Sequence, residues 1–449
     1  CTDEPSPGDG SGGSSGSANG GTATGGAAPS GGVSGSASGG TPSGGTAGTS
    51  GGSGTANGGS APGGAGGAAV SGSGGAAPSG GASGAASGAG GTITAGTSGA
   101  AGAGGSAGSA GKGGSAGSVT GGSGGTGGSA SGKSGLPVPP GAGNVPRPSG
   151  TPGGLTVVDW AGFKSAVSYT FDDSLTSQTQ NYATLNATGV RMTFYIVSGN
   201  NAMSAVWSMA ARDGHEIANH TAHHCHDNGT GCSWGTYAGS LANELTQCTN
   251  HITQTFGVSG VYTMAAPFGD PGWATPAQTQ FFINRGVAGG QIAPNDATNP
   301  FSLPCHVAAM NETAANGFNP TIDSSRNAGR WQILLLHSLG GDGGYNPVAT
   351  TEVISSINHA KSFGDVWIDS VVNIGAYWRA QKVLSTVTPT TSGTDRTWTW
   401  TLPAHFPPGK YLRVRVDGGT LVQGGTALTW DGHGYYEIAL DAGSVTLSP

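Results

Sequence analysis

Apolar positions are distributed very unevenly along this chain. Residues 1–153 consist mainly of Gly, Ser, Ala and Thr in irregular repeats, with few large apolar side chains. Such a segment cannot bury enough apolar surface to offset the backbone entropy that folding removes. We therefore predict a disordered linker over residues 1–153, followed by a folded part of about 300 residues.

Beyond this linker, short apolar runs that are typical of buried strands alternate with segments of helical periodicity. Strands are predicted over residues 166–171, 190–197, 215–219, 261–266, 287–292, 331–336 and 366–369. Helices are predicted over residues 178–188, 202–212, 237–256, 275–284, 350–362 and 371–383. The alternation favours an α/β fold with a parallel sheet that is doubly wound or rolled into a barrel.

The last part of the chain has a different pattern. The segments TWTWTL, YLRVRV, YYEIAL and SVTLSP alternate with a period of two and are separated by turn residues. We predict a small, sandwich-like all-β appendage over residues 385–449, after a larger α/β domain over residues 154–384. The appendage either packs against the α/β domain or binds carbohydrate, and the packing role is favoured.

Charge and the first residue bear on partners and location. The net charge is −7 and no run of Lys or Arg occurs, so nucleic acid is not an expected partner. The numbering begins at Cys1, directly before the linker. We expect a lipid on Cys1 to anchor a monomer at the bacterial cell surface or periplasmic face. The alternative is a boundary that falls on a cysteine by chance.

Four further cysteines lie in the folded part, at Cys225, Cys232, Cys248 and Cys305. An exported chain meets an oxidising environment, so two disulfides are plausible. Of the three possible pairings, Cys225–Cys232 with Cys248–Cys305 is favoured. A structural zinc cluster is the alternative, but no CxxC spacing supports it.

Two clusters of chemically able residues follow predicted strands. Asp172 and Asp173 are adjacent carboxylates, which repel each other unless a cation or a shared proton intervenes. Four imidazoles lie within residues 220–226, and His220 and His224 are spaced so that both can bind one zinc ion. Either cluster alone is more often polar surface, but in one barrel both would meet at the carboxyl-end face. His223 or His226 could substitute as a ligand, or could be solvated or lie just outside the ligand set.

Two weaker signals follow other strands. His337 comes directly after the apolar run ILLL, where a lone histidine is more often a hydrogen-bonded core residue. Pro267, Phe268 and Gly269 form a turn whose backbone N–H groups could stabilise an oxyanion. Their positions after strands place both signals on the same face as the carboxylates.

Taken in order, these clusters resemble the motifs of NodB-homology polysaccharide deacetylases, the family-4 carbohydrate esterases. The TFDD signature stands at residues 170–173 and the His-[Ser/Thr]-x-x-His signature at residues 220–224. The Pro-aromatic-Gly turn stands at residues 267–269 and the Leu-x-His signature at residues 335–337. The resemblance implies a distorted (β/α)7 barrel and a hydrolase that removes N- or O-acetyl groups from a polysaccharide.

The resemblance also implies a role for each residue. Asp173, His220 and His224 would hold a divalent metal ion, with zinc expected, and Thr221 would support their loop. Asp172 would be the general base and His337 the general acid. Pro267, Phe268, Gly269 and Leu335 would form the oxyanion and acetyl pocket. Acetylated chitin-like polymers, peptidoglycan and xylan would all suit this chemistry as substrates.

The sequence departs from the family pattern at several positions. Ala265 occupies the place of an Arg that pairs with the catalytic Asp, and Ser174 and Ser338 replace a frequent Gly and Asp. An Asp and a Trp that flank the catalytic His have only candidates here, namely Asp323, Trp331 and Asp369. Two other functions therefore stay open: a catalytically impaired carbohydrate-binding lipoprotein, and an adhesin or structural lipoprotein.

Overall fold

A computed structural model describes residues 134–200 and 204–449. Most of the predicted linker, residues 1–133, and the predicted lipidation site Cys1 lie outside the described residues. Residues 134–153, which composition assigns to the linker, pack on the folded part: Leu136 is buried, and the Val145 N–H donates to the Gly432 carbonyl. The domain boundaries themselves stay predictions.

The described residues form helices and strands in the following order. The helices are α1 (Thr176–Asn186), α2 (Ser204–Arg212), α3 (Leu241–Phe256), α4 (Ala274–Gln278), α5 (Asn319–Ala328), α6 (Thr350–Ser362) and α7 (Val371–Ser385). The first strands are β1 (Leu155–Val157), β2 (Ser165–Phe171), β3 (Thr193–Ile196), β4 (Glu216–Asn219), β5 (Thr263–Ala265), β6 (Ile283–Arg285), β7 (His306–Val307), β8 (Trp331–Leu336) and β9 (Val366–Ile368). The remaining strands are β10 (Thr390–Ser392), β11 (Asp395–Thr399), β12 (Tyr411–Val416), β13 (Thr420–Gln423), β14 (Thr426–Ala427), β15 (Trp430–Asp431), β16 (Tyr435–Ala439) and β17 (Ser444–Ser448).

Strands β2 to β9 form one parallel sheet. Its order is β6-β5-β4-β3-β2-β8-β7, and β9 pairs with the first residues of β2. Backbone hydrogen bonds from Gly286 to Leu303 and from Cys305 to Ala288 join the chain after β6 to the chain that leads into β7. The sheet therefore curls into an incomplete barrel, which confirms the predicted α/β class and distorted barrel.

The two faces of this sheet have separate hydrophobic cores. On β8, Leu334 and Leu336 pack with the surrounding helices, whereas Ile333 and Leu335 pack on the opposite, concave face. Successive side chains of a strand point to opposite faces, and a strand that is buried on both faces is apolar throughout. The continuous run ILLL is explained by this double burial.

The C-terminal strands form two antiparallel sheets, of order β1-β12-β16-β15 and β10-β11-β17-β13-β14. Leu412 and Val414 of β12 belong to the same hydrophobic cluster as Trp367 and Tyr377 of the barrel part. Strand β1, which precedes the barrel in sequence, pairs with β12. The appendage thus shares a core with the barrel, which favours the packing role.

Several predicted elements differ from the structure. The segment 275–284 was predicted as one helix, but α4 ends at Gln278 and residues 283–285 form β6. The segment 287–292 forms no strand; only Ile292 makes an isolated bridge, to Trp331. Helix α5 was not predicted, because its sequence NPTIDSSRNA has only one large apolar side chain. No helix among the described residues is long and apolar enough to cross a membrane.

The cysteines follow the prediction only in part. Cys225 and Cys232 form a disulfide, as predicted. The predicted Cys248–Cys305 disulfide is wrong, since both thiols are free and buried in separate places. The Cys248 thiol donates to the Ile196 carbonyl, and the Cys305 thiol donates to the Gly286 carbonyl. Both are small core residues that satisfy their polar hydrogen locally.

Candidate metal and proton-transfer site

The period-two alternation of the strands brings the predicted residues together. Thr170 and Asp172 lie on the same face at the end of β2, and the Thr170 hydroxyl donates to the Leu334 carbonyl of β8. His220 and His337 follow β4 and β8 with the same parity as concave-face residues of those strands. The carboxyl ends of parallel strands meet at one edge, so these three side chains converge on one site.

Three of the predicted ligands form a compact donor set. The Asp173 Oδ1 atom lies 3.4 Å from the His220 Nε2 atom and 3.4 Å from the His224 Nε2 atom. All three donor atoms lie within 4.8 Å of one another, and all three residues are buried. Two ligand atoms that each lie about 2.1 Å from a tetrahedral ion are roughly 3.4 Å apart. The observed spacing therefore fits a zinc-sized divalent ion.

The other atoms of these ligands leave the donor atoms free. His220 Nδ1 contacts the Ala265 carbonyl at 2.9 Å, and His224 Nδ1 lies 3.2 Å from the Ser233 hydroxyl oxygen. Such partners orient a metal-binding imidazole so that Nε2 faces the ion. The Asp173 Oδ1 atom is buried and has no hydrogen-bond partner among the described residues. A cation at this position would satisfy it.

Protonation also suits a cation. Burial and the neighbouring His220 lower the pKa of His224 from 6.5 to about 3, although Asp173 and Asp172 oppose the shift. Burial alone would raise the pKa of Asp173, but His220 holds it below the ordinary value. At neutral pH, Asp173 is therefore ionised and His224 neutral, the forms that bind a metal. Burial alone would lower the pKa of His220, but Asp172 and Asp173 raise it.

Strained backbone is concentrated at this site. The residues Asp173, Ser174, Thr221, His224 and Phe268 have positive φ angles of 75°, 50°, 69°, 52° and 56°. Non-glycine residues rarely adopt this left-handed region, and such residues cluster at functional sites, where the surrounding structure holds them. The strain turns the ligands toward one another at the ends of short strands.

Hydrogen bonds hold the histidine loop in this strained form. The Thr221 hydroxyl oxygen accepts from the His224 N–H, and the Asn219 side-chain oxygen accepts from the Thr221 N–H. The fully buried Glu244 of α3 accepts from both the backbone and the ring of His223. His224 is also directly followed by the disulfide-bonded Cys225. The loop is thus fixed on both sides of His224.

The two remaining histidines of the cluster are not part of the donor set. His223 pairs with Glu244, and its Nδ1 atom lies 2.9 Å from the Glu244 carboxylate. His226 lies 2.8 Å from Asp270 and stacks on the ring of Phe268, with centroids 3.8 Å apart. Both residues support the loop and the turn around the site.

Asp172 is held by an arginine that the sequence analysis missed. Arg285, on β6, donates to Asp172 Oδ2, and both side chains are buried. The second oxygen, Asp172 Oδ1, has no hydrogen-bond partner among the described residues. Burial alone would raise the pKa of Asp172, but Arg285 and His220 lower it. The carboxylate is therefore ionised and fixed, with one oxygen free.

Arg285 stands beside the position where the family pattern has its arginine. Ala265 on β5 and Arg285 on β6 are register partners in the parallel sheet. Ala265, Ala218 and Tyr195 pack as a small cluster of their own, and the Arg285 guanidinium lies 5.3 Å from the centre of the Tyr195 ring. The small side chains at 218 and 265 leave room for a long side chain to reach Asp172 from the neighbouring strand.

His337 lies in the site without an acidic partner. Its Nδ1 atom is buried and has no hydrogen-bond partner among the described residues. Burial lowers the pKa of His337, while Asp172 and Asp173 act in the opposite direction. A lowered pKa makes the imidazolium a stronger acid but leaves fewer molecules protonated at neutral pH.

None of the candidates for the missing acidic and aromatic flanking residues contacts His337. Asp323 pairs with His359, and Asp369 pairs with Arg191. Trp331 is buried in the concave-face cluster, where its indole N–H donates to Ser168.

The Pro-Phe-Gly turn borders the metal side of the site. The Phe268 ring lies 4.5 Å from the His224 ring, centre to centre. The N–H groups of Gly269 and Asp270 donate within the turn, to Ala266 and Pro267. Among the described residues, none accepts from the Phe268 N–H. Leu335 is buried on the concave face, two residues before His337.

Sequence reasoning also missed two supporting residues. The Gln178 side-chain N–H donates to the carbonyls of Asp172 and His337, so it joins the ends of β2 and β8. Glu244, in the first turn of α3, holds the histidine loop through its carboxylate, which accepts from His223. Both are polar residues of helices, and their neighbours in the sequence gave no signal for these roles. Arg285 had a weak signal, a lone cation at the end of the apolar run FFINR.

Part of the chain matches the model of a known protein family. Residues 162–280 match the family model for polysaccharide deacetylase. The match contains Asp172, Asp173, His220, His224 and the Pro-Phe-Gly turn, and it ends before Arg285 and His337. No curated protein matches the chain. The chain therefore contains a polysaccharide deacetylase domain, and its enzyme class is that of a deacetylating hydrolase.

Solved structures with related folds include three carbohydrate-active domains. One is the family-4 carbohydrate esterase domain of a multidomain xylanase from the hindgut metagenome of Trinervitermes trinervoides (18% identity, TM-score 0.33, 46% of this chain and 88% of that one). Another is a family 4 acetyl xylan esterase from Clostridium thermocellum in complex with a cobalt ion (17%, 0.34, 46% and 89%). A third is the catalytic domain of a peptidoglycan N-acetylglucosamine deacetylase from Eubacterium rectale (16%, 0.30, 46% and 87%).

Proposed function

We propose that the chain is a metal-dependent deacetylase that hydrolyses N- or O-acetyl groups on a polysaccharide, with Asp172 as base and His337 as acid. The observation that supports this most directly is the pair of buried carboxylates. Asp173 shares a donor set with two imidazoles, and Asp172 beside it is fixed by Arg285 with Oδ1 free. One carboxylate is thus suited to metal binding and the other to proton transfer.

Asp173, His220 and His224 are the proposed metal ligands, and two imidazoles with one carboxylate favour zinc. A divalent ion held there supplies Lewis-acid polarisation of the acetyl carbonyl and lowers the pKa of water. One carboxylate among the ligands keeps the net charge of the site positive. The chain's own residues then carry out the proton transfers.

Asp172 accepts the proton of the attacking water on Oδ1, while Arg285 holds Oδ2. Water oxygen bonds to the acetyl carbon, and the carbonyl oxygen gains negative charge. The Phe268 N–H, which donates to none of the described residues, would donate to that oxygen. The bond from carbon to the sugar nitrogen or oxygen then breaks, and His337 donates a proton to the leaving group. Leu335 provides the apolar contact for the acetyl methyl group.

A surface carbohydrate-binding protein without turnover is the second candidate. The absence of an arginine at position 265 is the feature that favoured it. Arg285 removes that argument, because Asp172 has its cationic partner. The unpartnered Nδ1 of His337 is the remaining departure that could impair catalysis.

Metal content and acetate release test the proposal together. The full chain is loaded with zinc, and acetate is measured with acetylated xylan, chitin oligomers and peptidoglycan. The Asp172→Asn variant keeps the shape of the side chain but cannot accept the proton. We expect it to retain the metal and lose acetate release by at least about a thousandfold.

Each other result contradicts a definite part of the proposal. Metal loss in Asp172→Asn would mean that base and ligand roles are misassigned. A wild-type chain with neither metal nor acetate release would contradict the enzyme. Metal and saturable glycan binding without acetate release would favour the binding protein.

We also propose that a lipid on Cys1 anchors the protein, as a monomer, at the bacterial cell surface or periplasmic face. The long Gly-rich segment after Cys1 supports this, because such a chain can hold a folded domain away from a surface. Mass spectrometry of the N-terminal peptide from membrane fractions tests it, since an unmodified cysteine there would contradict the anchor.

A further inference from the structure

An exposed aromatic side chain stands directly beside the proposed acid. The ring of Tyr345 lies 5.0 Å from the His337 ring, centre to centre, at an interplanar angle of 79°. Tyr345 is 40% exposed, although large hydrophobic side chains in the described residues are mostly buried. An exposed aromatic surface at a reaction site needs an explanation, since its burial by a ligand would be favourable.

The segment 338–347, which carries Tyr345, is held firmly despite its four glycines. Asp342 accepts from the Ser338 hydroxyl and the Gly344 N–H with one oxygen, and from the Ser177 N–H with the other. Ser177 lies in the first turn of α1, so the segment is fastened to the barrel. A side chain at Gly344 would meet Leu175 at 2.5 Å, which shows how closely the segment packs.

A second connection fixes the far end of the segment. The Asn346 side chain donates to the Ala308 carbonyl, and the Asn311 N–H donates to the Pro347 carbonyl. These bonds join the segment to residues 308–313, which contain Met310 at 63% exposure. Tyr345 is thus presented to solvent by a preorganised segment, and a second exposed apolar side chain lies on the segment bonded to it.

The chemistry of this surface selects its ligand. Residues 338–347 and 308–313 contain no Lys or Arg, and their acidic residues Asp342 and Glu312 are used in hydrogen bonds within the structure. The surface therefore offers an aromatic face and apolar atoms without a cation. Such a surface suits the C–H face of an uncharged sugar ring, and it does not suit a uronic acid or another anion.

We propose that Tyr345 is a stacking platform for an uncharged sugar ring of the polysaccharide, at a subsite next to His337, and this rests on the proposed function. Stacking on Tyr345 would hold the glycan so that the leaving nitrogen or oxygen lies at the acid. Tyr345 would determine affinity for the polymer and would have no part in the chemical step.

Two substrates separate glycan binding from chemistry. Acetylated chitin and xylan oligomers contain the sugar, whereas 4-nitrophenyl acetate contains only the acetyl ester. We expect Tyr345→Ala to raise KM for the oligomers about tenfold and to leave the small ester unchanged. Tyr345→Trp keeps a platform and should retain the oligomer KM. Met209→Ala is the matched control, because Met209 is equally exposed, at 40%, but lies on α2.

Calorimetric binding of the same oligomers to the full chain provides a readout that does not need turnover. Weaker binding to Tyr345→Ala but not to Met209→Ala supports the platform, even if wild-type protein releases no acetate and the proposed function fails. Unchanged oligomer binding and KM in Tyr345→Ala overturn the platform and leave the deacetylase intact. Equal loss on oligomers and small ester would also overturn it, since Tyr345 would then act by positioning His337.

Discussion

The proposed metal-binding half of the site and its proposed proton-transfer half are built in different ways. His220 and His224 come from one loop, five residues long from ligand to ligand, which is fixed by Glu244 and a neighbouring disulfide. The proton-transfer half joins Asp172 to Arg285, 113 residues later in the sequence, and places His337 beside them. One half is local and supported by its own loop, and the other depends on the register of the sheet.

This difference indicates which positions of the site can accept a different residue. A local loop keeps its two imidazoles at a fixed spacing, which a donor set for one ion requires. The partner of Asp172 has only to deliver a guanidinium to Oδ2, so it can come from β5 or from β6. Ala265 and Arg285 are register partners on neighbouring strands, and we expect a guanidinium from either position to reach Asp172.

Removal of the Arg285 guanidinium is expected to have the largest effect on the proton-transfer half. Arg285→Ala leaves a buried carboxylate without its partner, which destabilises a fold by about 3–5 kcal/mol. Arg285→Lys keeps the charge but not the fixed geometry, and we expect it to fold and to lose about a hundredfold in kcat with metal content unchanged. Acetate release and metal analysis measure both quantities.

The double variant Ala265→Arg/Arg285→Ala tests the interchange itself. It moves the guanidinium to the neighbouring strand, and we expect it to recover at least about tenfold in kcat over Arg285→Ala. A double variant that is no better than Arg285→Ala would mean that only β6 can supply the partner of Asp172.

Removal of the disulfide should act on the metal half instead. The bond closes a loop with a sequence separation of 7, for which chain entropy gives a stabilisation of about 2–3 kcal/mol. We expect Cys225→Ser/Cys232→Ser to weaken zinc binding about tenfold, because His224 precedes Cys225, while kcat at saturating zinc changes little. Zinc titration and urea unfolding are the measurements.

Cys248→Ser is the matched control for that variant. Cys248 is a free, buried cysteine on α3 that closes no loop, although its sulfur lies against the backbone of His220. The comparison fails if this variant weakens zinc binding as much as the loss of the disulfide does.

As the pH decreases, we expect the fold to lose stability before either half of the site changes. This is the smallest of the expected effects on activity. His215 accepts from the Met192 N–H through Nδ1, so it is neutral in the fold. Burial lowers its pKa from 6.5 to about 4, and Asp213 opposes the shift. The unfolded chain therefore binds a proton between pH 6.5 and pH 4 that the folded chain does not, so stability falls by about 3 kcal/mol as the pH decreases through this window.

His215→Asn tests the origin of this acid sensitivity. Its side-chain oxygen can accept from the Met192 N–H and does not titrate. Urea unfolding between pH 7 and pH 4 should show a smaller loss of stability in the variant than in the wild type. Identical losses would assign the effect to other groups.

Much of the site could be predicted from the sequence because the motifs are local. Asp172 with Asp173, and His220 with His224, have fixed spacing along the chain, and short-range geometry is enough to make them neighbours. The missed helix α5 and strand β6 show the opposite case. Their sequences lack strong periodicity, so packing against the rest of the barrel decides their form.

The sequence by itself determined the chemical groups of this protein: two carboxylates, two imidazoles for a cation and a further histidine, each directly after an apolar strand. Only the tertiary structure decided which groups meet. Arg285 reaches Asp172 because parallel strands align positions 265 and 285 and because alanines leave the space between them. The predicted Cys248–Cys305 disulfide does not form for a similar reason: the folded elements place the two cysteines apart. Tyr345 lies beside His337 because hydrogen bonds through Asp342 and Asn346 fold a glycine-rich segment back onto the barrel.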